Sequence, residues 1–265
     1  MKLYGDNIQS IILGQKGGAK MSFLLNPYIF ESVDLGVCGY GSYSAPPITT
    51  SLEVHVVGNV EVFNDASSTC AANDDFIRQW NDKSGNNNHL NQPTGSSQLK
   101  YKTSLLNGQN GVEATSNTDM LLSSTISLTG CTIYAVNKKT TTSAQMMPCG
   151  GASNITIGNN FSDGNTYLYD GSNLATLSVG HFTDWGVRAY VWDYGTDFEI
   201  YEDKTSLGSV SASSVGSITI DRLFSRGNGS ANTKNFMEVL IYTDVHNSTQ
   251  IGQVSDYLND KYSVY

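Results

Sequence analysis

Short runs of apolar and β-branched residues recur along the chain from residue 52 onward, and each run is bounded by Gly, Asn, Asp or Ser. Strand-forming residues enclosed by turn-forming residues are typical of antiparallel sheets. No repeat of roughly 20 to 50 residues is visible, which disfavours a solenoid or a propeller. The pattern therefore predicts an all-β, antiparallel sandwich, with strands over residues 52–63, 132–137, 154–158, 166–169, 187–193, 198–202, 217–220 and 236–242.

The last element is predicted to be a short C-terminal helix. Asn247 or Ser248 can cap it, because both side chains accept hydrogen bonds from free helical amides. Four apolar residues at helical spacing form one stripe along it: Ile251, Val254, Leu258 and Tyr262. We expect this stripe to pack across an edge of the sandwich.

Residues 187–194 alternate between two kinds of side chain. Successive side chains of a strand point to opposite faces, so we expect the small apolar set to enter the core: Val187, Ala189 and Val191. The other set presents flat aromatic rings on which sugar rings can stack, and an arginine that can fix hydroxyl groups. With a neighbouring tryptophan it forms the predicted ligand-binding site: Trp185, Arg188, Tyr190, Trp192 and Tyr194. Alternatively, this face packs against the N-terminal segment or another subunit.

Residues 1–50 differ from the rest, because glycines and prolines interrupt short apolar runs such as residues 11–13 and 23–25. We interpret them as an extended N-terminal arm with one or two short strands, and residues 51–265 as the sandwich domain. Met21 is an alternative start, since a purine-rich ribosome-binding sequence would encode residues 16–18.

Composition and charge exclude several classes of protein. Hydrophobic residues make up 39% of the chain, enough to bury a core without a cofactor, and none is predicted. The net charge is −9 and the longest basic cluster is the pair Lys138 and Lys139, so binding to nucleic acid is not expected. The chain shows neither an apolar signal-peptide segment nor a membrane-spanning one.

The four cysteines lie far apart and have no histidine at metal-ligand spacing, which argues against a zinc site: Cys38, Cys70, Cys131 and Cys149. We expect buried free thiols. Disulfides remain the alternative, because an even number of cysteines permits pairing.

A polar loop around Trp80 is the most distinctive local motif. We expect Trp80 to pack into the core while the carboxylate of Asp82 and nearby asparagine side chains bind turn amides. The predicted structural loop comprises Trp80, Asp82, Ser84, Gly85 and Asn88.

In their order along the chain, these elements resemble the concanavalin A-like lectin/glucanase superfamily, in particular the laminin-G-like modules of bacteriophage tail and capsid-surface proteins. The resemblance rests on the W-x-D-x-S-G-N loop and four later elements, within residues 76–88, 132–136, 198–201, 238–242 and 254–262. It implies a jelly-roll sandwich over about residues 76–265. Related modules sometimes bind Ca²⁺, and the Trp80 loop offers oxygen ligands but only one carboxylate.

Glucanases of this superfamily carry paired carboxylates on one strand face. The nearest candidate here is Asp197 with Glu199, but the next position on that face is Tyr201. None of the four histidines lies in a recognisable nucleophile motif: His55, His89, His181 and His246. We therefore predict that the protein is not an enzyme and contains no metal centre.

The leading hypothesis is a bacteriophage virion surface protein, acting as a tail fibre or receptor-binding protein or as a capsid spike or decoration. The arm would join it to other virion proteins, the sandwich would bind glycans on the host surface, and the assembly would be a homo-oligomer. A free carbohydrate-binding lectin is the alternative, and a glycoside hydrolase of the same fold is disfavoured.

Overall fold

The computed structural model describes residues 20–24, 30–34, 38, 43–66, 68–226 and 234–265. Within them the chain is almost entirely β-structure, with two short 3₁₀ turns at Gly95–Ser97 and Ala152–Asn154 and one helix, α1 (Ser248–Tyr262). The strands are β1 (Lys20–Leu24), β2 (Phe30–Asp34), β3 (Leu52–Val57), β4 (Val62–Phe63), β5 (Gln79–Trp80), β6 (Leu90–Asn91), β7 (Lys100–Leu106), β8 (Gln109–Ala114), β9 (Met120–Leu128), β10 (Cys131–Lys139), β11 (Cys149–Gly150), β12 (Thr156–Asn160), β13 (Asn165–Tyr169), β14 (Leu174–Ser178), β15 (Gly186–Asp193), β16 (Asp197–Glu202), β17 (Thr205–Ser211), β18 (Ile218–Leu223) and β19 (Lys234–Tyr242).

The chain divides into two compact units, Met1–Cys38 and Gly39–Tyr265. In the first unit, β1 and β2 pair as an antiparallel hairpin. This agrees with the one or two strands expected in the arm, whereas the apolar run 11–13 lies outside the described residues.

The second unit includes residues 43–50, which the sequence assigns to the arm. Tyr242 donates a hydrogen bond to the carbonyl of Ile48 at 3.0 Å, and Tyr257 donates one to the carbonyl of Ser44 at 2.9 Å. These bonds attach residues 43–50 to the sandwich.

The second unit is a sandwich of two antiparallel sheets, which confirms the predicted fold class. One sheet has eight strands in the order β17-β16-β15-β10-β19-β8-β7, with β3 also paired to β19. The other has nine strands in the order β14-β13-β12-β11-β18-β9-β6-β5-β4. The main core lies between them and includes the stacked rings of Trp80 and Phe224, whose centroids are 6.1 Å apart.

Helix α1 begins where the sequence predicts. Asn247 is the cap: its side chain accepts the amides of Thr249 and Gln250, and the Gln250 side chain accepts the amide of Asn247. The four residues of the predicted apolar stripe are buried, as expected. Helix α1, like the other helical segments within the described ranges, lacks the length and apolar content of a membrane span.

The expected position of the helix at a sandwich edge is wrong. Its stripe packs on the outer face of the eight-stranded sheet, in a second apolar cluster formed with Tyr134, Val136, Val187, Ala189, Val191, Leu240 and Tyr242. The central strands of this sheet are apolar on both faces, so both need a cover.

A buried carboxylate fastens the helix to this sheet. Glu238 of β19 accepts hydrogen bonds from Tyr262 and Lys261, each at 2.7 Å, and from Tyr257 at 3.2 Å, while its other contact is the His55 ring at 2.6 Å. Burial by itself raises the pKa of Glu238, but the opposing contributions of His55 and Lys261 lower it to about 2. Glu238 is therefore a buried anion that joins β3, β19 and α1.

The cysteines divide into two kinds. Cys131 and Cys149 are buried free thiols, as expected, and burial raises the pKa of Cys131 to about 12. Cys38 and Cys70 are disulfide-bonded, so the expectation of free thiols is wrong for these two.

Candidate functional site

The structure corrects the interpretation of β15. Tyr190 and Trp192 have no exposed surface and belong to the core between the sheets, whereas Val187, Ala189 and Val191 face α1. The alternation is correct, but the face predicted to bind ligand is the interior face. With α1 on one side and the second sheet on the other, neither face of β15 is free for a ligand.

Arg188 is also buried and has structural partners. Its guanidinium donates to the side-chain oxygen of Asn137 at 2.8 Å, to the carbonyl of Asp184 at 3.0 Å and to Glu202 at 2.5 Å. It also stacks over the ring of Phe182 at 4.3 Å. These contacts hold β15 to its neighbours and leave Arg188 unavailable to a surface ligand.

The other two predicted ligand residues reach the surface but do not meet. Trp185 precedes β15 and is half-buried beneath the ammonium of Lys138 at 5.2 Å. Tyr194 follows β15 and is 48% exposed. A strand of this length spans roughly 26 Å at about 3.3 Å per residue, so the five predicted residues do not form one site.

The residues of the Trp80 loop have structural roles. The Trp80 indole is buried and donates to the carbonyl of Val57 at 3.0 Å. Gly85 has φ +98°, in the left-handed region that favours glycine. The carboxylate of Asp82 accepts four hydrogen bonds at 2.7–3.0 Å: from the amides of His55, Ser84 and Asn88 and from the Ser84 hydroxyl.

Those donors occupy the oxygens that a calcium ion would use. Among the described residues, no three His, Cys, Asp or Glu side chains are grouped closely enough to hold a metal ion. The geometry at Asp82 therefore supports the loop's structural role, and nothing in it favours a cation.

The carboxylates considered for hydrolysis lie half-buried on β16. Glu199 accepts a hydrogen bond from Ser206 at 2.6 Å, and burial followed by the charges of Glu199 and Asp193 raises the pKa of Asp197. The third position on this face is Tyr201, whose pKa is raised to about 12, first by burial and then by its hydrogen bond to Glu199. The pair lies at the start of a hairpin, with Ser206 beside it.

A different aromatic surface lies on the outer face of the nine-stranded sheet. In β13, Thr166 and Leu168 are buried, whereas Tyr167 and Tyr169 are partly exposed on the opposite side. Strand β14, the end strand of the sheet, places Thr176 opposite Tyr167 and Leu174 opposite Tyr169. We name this set the tyrosine surface: Tyr167, Tyr169, Leu174 and Thr176. Its two rings are about 6.6 Å apart along the strand, and Leu174 is 53% exposed.

Polar groups border the tyrosine surface. Asp163 accepts hydrogen bonds from the Tyr167 hydroxyl at 2.5 Å and from the side chain of Asn165 at 3.0 Å. The Tyr167 bond is the main cause that lowers the pKa of Asp163, so this carboxylate is ionised at neutral pH. An exposed carboxylate and an amide therefore lie beside the ring of Tyr167.

The ring of Tyr167 is supported from the side. Phe161 meets it edge-on with the centroids 4.8 Å apart, and the guanidinium of Arg226 lies 5.1 Å from the Phe161 centroid. An edge-to-face pair is worth about 0.5–1.5 kcal/mol beyond the burial of its rings. Tyr167 is therefore held in place before any ligand arrives.

The sequence contains a signal for this surface. It predicts the strand over residues 166–169, and Tyr167 and Tyr169 alternate there with Leu168. A strand with one apolar side chain between two tyrosines has its tyrosines on a common face. What the sequence does not show is which face of the strand enters the core.

No protein-family model and no curated protein matches the chain. Solved structures do share its fold. The binding domain of Paraclostridial Mosquitocidal Protein 1 matches with 14% identity and a TM-score of 0.54, covering 79% of this chain and 53% of that one. The botulinum neurotoxin serotype D binding domain matches with 12% identity and a TM-score of 0.55, covering 80% and 52%.

A further match is the serotype D ligand-binding domain in complex with N-acetylneuraminic acid, with 12% identity and a TM-score of 0.51 over 79% of this chain and 52% of that chain. The present chain thus spans about half the length of these domains. At such low identity, the comparison defines the fold class alone. The neighbours are binding domains built on a β-sandwich.

Proposed function

We propose that this protein is a glycan-binding attachment module. The observation that carries the proposal is the tyrosine surface, where two partly exposed rings share one face of β13 and Tyr167 is held beside the carboxylate of Asp163 and the amide of Asn165. Sugar rings present C–H faces that stack on flat side chains, and hydroxyls that both donate and accept hydrogen bonds. A rigid sheet holds such a site more accurately than a loop does.

The structural neighbours support this function as analogues of fold. Their names describe binding domains, and one of them was solved with N-acetylneuraminic acid. Sialylated oligosaccharides are therefore the first glycans to test, together with neutral ones.

Replacing Tyr167 or Tyr169 by alanine is expected to weaken glycan binding about tenfold or more, because each ring contributes stacking worth about 1.4 kcal/mol. A glycan array with the wild-type protein selects the ligand, and titration calorimetry measures each variant. Phe76→Ala is the matched control, since Phe76 is a 51% exposed aromatic residue between β4 and β5, outside the tyrosine surface.

Tyr194→Ala tests the exposed tyrosine of the ligand-binding site that the sequence predicts. Loss of binding in Tyr194→Ala with normal binding in Tyr167→Ala would place the site beyond β15 and refute the tyrosine surface. Unchanged binding in all the variants would refute both locations.

We further propose that the module acts on the surface of a bacteriophage virion, on the tail or the capsid, as a homo-oligomer joined to other virion proteins through its N-terminal residues. The sequence resemblance to phage surface modules supports this assignment. The disulfide-bonded Cys38 and Cys70 fit a protein exposed to an oxidising medium. Weak single sites are effective when many copies are displayed together.

Removal of residues 1–42 is expected to convert a defined oligomer into monomers, as measured by light scattering. The truncation keeps residues 43–50, which bind the sandwich, and it carries Cys70→Ser, so that neither disulfide-bonded cysteine is present. The full-length chain with Cys38→Ser and Cys70→Ser is the control for losing these two cysteines. If the full-length protein is itself monomeric, the virion proposal fails and a free lectin becomes the better description.

A further inference from the structure

A concave surface lies on the other side of the sandwich from the tyrosine surface, beside α1. It is a shallow depression of about 670 Å³, bounded by residues 44–47 and by one stripe of the helix. Its lining residues are Ser44, Ala45, Pro47, Gln253, Asp256, Tyr257, Asp260 and Lys261. This volume lies within the range of small-molecule sites, about 300–1,000 Å³. The helical members recur at the spacing of one helix face, distinct from the buried stripe that anchors α1.

The floor of this depression is rigid. The Tyr257 hydroxyl donates to the carbonyl of Ser44 at 2.9 Å and lies 3.2 Å from the buried carboxylate of Glu238. Lys261 is bound to the same carboxylate at 2.7 Å. Both side chains are therefore in place without a ligand, which reduces the entropy lost on binding.

Two polar side chains at the rim are available to a ligand. Asp256 is ion-paired with Lys204 at 2.7 Å, but within the described part of the chain Asp260 and Gln253 form no side-chain hydrogen bond or ion pair. Both are exposed. They offer a carboxylate and an amide opposite the apolar wall of Ala45 and Pro47.

The surrounding charges select among ligand classes. Lys261 lies 5.9 Å from the centroid of the Tyr257 ring, and Lys204 lies beside Asp256. Each ammonium group is paired with a carboxylate, Lys261 with Glu238 and Lys204 with Asp256. The carboxylate of Asp260, unpaired among the described residues, therefore gives the depression a net negative charge, which disfavours an anionic ligand. An uncharged polyhydroxyl ligand can instead pair its hydroxyls with Asp260 and Gln253 and place its C–H face on Tyr257 and Pro47.

We propose that this depression is a second saccharide-binding site. The choice of ligand class rests on the proposed function, but the location does not: the tyrosine surface lies on the outer face of the nine-stranded sheet, and the depression borders the helix that covers the eight-stranded sheet. A single chain would then bind two sugar chains and could bridge them. Bridging raises the avidity for a glycan-coated surface beyond the affinity of either site.

The test is a residue-resolved NMR titration of the ¹⁵N-labelled full-length protein with 3′-sialyllactose, cellotriose and mannotriose in turn. At least one of the two uncharged sugars, cellotriose or mannotriose, is expected to shift amide signals of residues 253–261. The double variant Gln253→Ala with Asp260→Ala is expected to weaken this response at least tenfold. Thr249→Ala, an exposed position on the same helix outside the depression, is the matched control and should leave the response unchanged.

The titration separates the two sites. If signals of residues 165–176 shift and those of 253–261 do not, the second site is refuted and the proposed function stands. If only the helix signals shift, and the double variant abolishes that shift, the depression is confirmed and the tyrosine surface is refuted. A helix response that persists in the double variant also refutes the proposal, as does the absence of any response to the three sugars.

Discussion

Replacing Glu238 by glutamine is expected to lower the free energy of unfolding by about 3–5 kcal/mol, the usual effect of breaking a buried ion pair. Glu238 is completely buried and contacts His55, Lys261, Tyr257 and Tyr262. The amide has no charge to balance Lys261, and it exchanges an acceptor for a donor. The helix and the outer apolar cluster should loosen first, because these bonds attach them to β19.

Urea denaturation at pH 7 measures this loss. Glu113→Gln is the control, since Glu113 is a partly exposed carboxylate 3.7 Å from Lys102, and surface pairs contribute about 1 kcal/mol or less. Equal effects of the two substitutions would contradict the role assigned to Glu238.

The low pKa of Glu238 also predicts how the stability of the protein changes at acid pH. The pKa of Glu238 is lowered in the folded protein to about 2, below its value in the unfolded chain. The stability it contributes is therefore complete above about pH 4.5 and is lost as the pH falls toward 2. Glu238→Gln should lack this part of the acid dependence.

Replacing Lys234 by methionine is expected to change how stability depends on pH between 7 and 10. Lys234 is fully buried at the start of β19, opposite Lys139 of β10. Burial lowers the pKa of Lys234 to about 7 and that of Lys139 to about 8. Between pH 7 and the pKa of the unfolded lysine, about 10.4, folding therefore releases a proton.

The released proton determines in which direction the stability of the protein changes with pH. As the pH falls from about 10 to 7, the unfolded lysine is protonated and the folded one is not, so the wild-type protein should lose stability relative to Lys234→Met. The difference should change by up to about 1.4 kcal/mol per pH unit. Denaturation at several pH values measures it.

Lys102→Met is the matched control for the lysine titration. The hydrogen bond to Asp74 raises the pKa of Lys102, so both folded and unfolded states keep this lysine charged over most of that range. Its difference from wild type should stay flat between pH 7 and 9. An equally flat difference for Lys234→Met would show that Lys234 is protonated in the folded state.

Local patterns predict a large part of this fold. The β-sandwich, the capped C-terminal helix with its apolar stripe, and the alternation along β15 all follow from side-chain periodicity. Strands β7 and β8 escape the pattern, because several of their side chains face solvent and apolar residues are sparse. In β9 the exposed polar residues 123–125 interrupt the apolar ones. A strand that is buried on only one face contains few apolar residues, so its sequence does not stand out from that of a loop.

The candidate site is harder to predict. Trp192 and Tyr167 both occupy alternate positions of strands rich in aromatic residues, and nothing local distinguishes a ring in the core from a ring at the surface. The outcome depends on which sheet receives the helix. Because α1 covers the outer face of β15, the small residues face the helix and the large rings fill the space between the sheets.

The sequence by itself determined the class of fold, the start of its helix and the two sets of side chains along each alternating strand, since these depend on interactions between residues close in the chain. Only the tertiary structure decided which set faces solvent, which cysteines are bonded and where residues 44–47 meet α1. Those outcomes depend on contacts between residues far apart in the chain, and a pattern of period two or 3.6 carries no information about them.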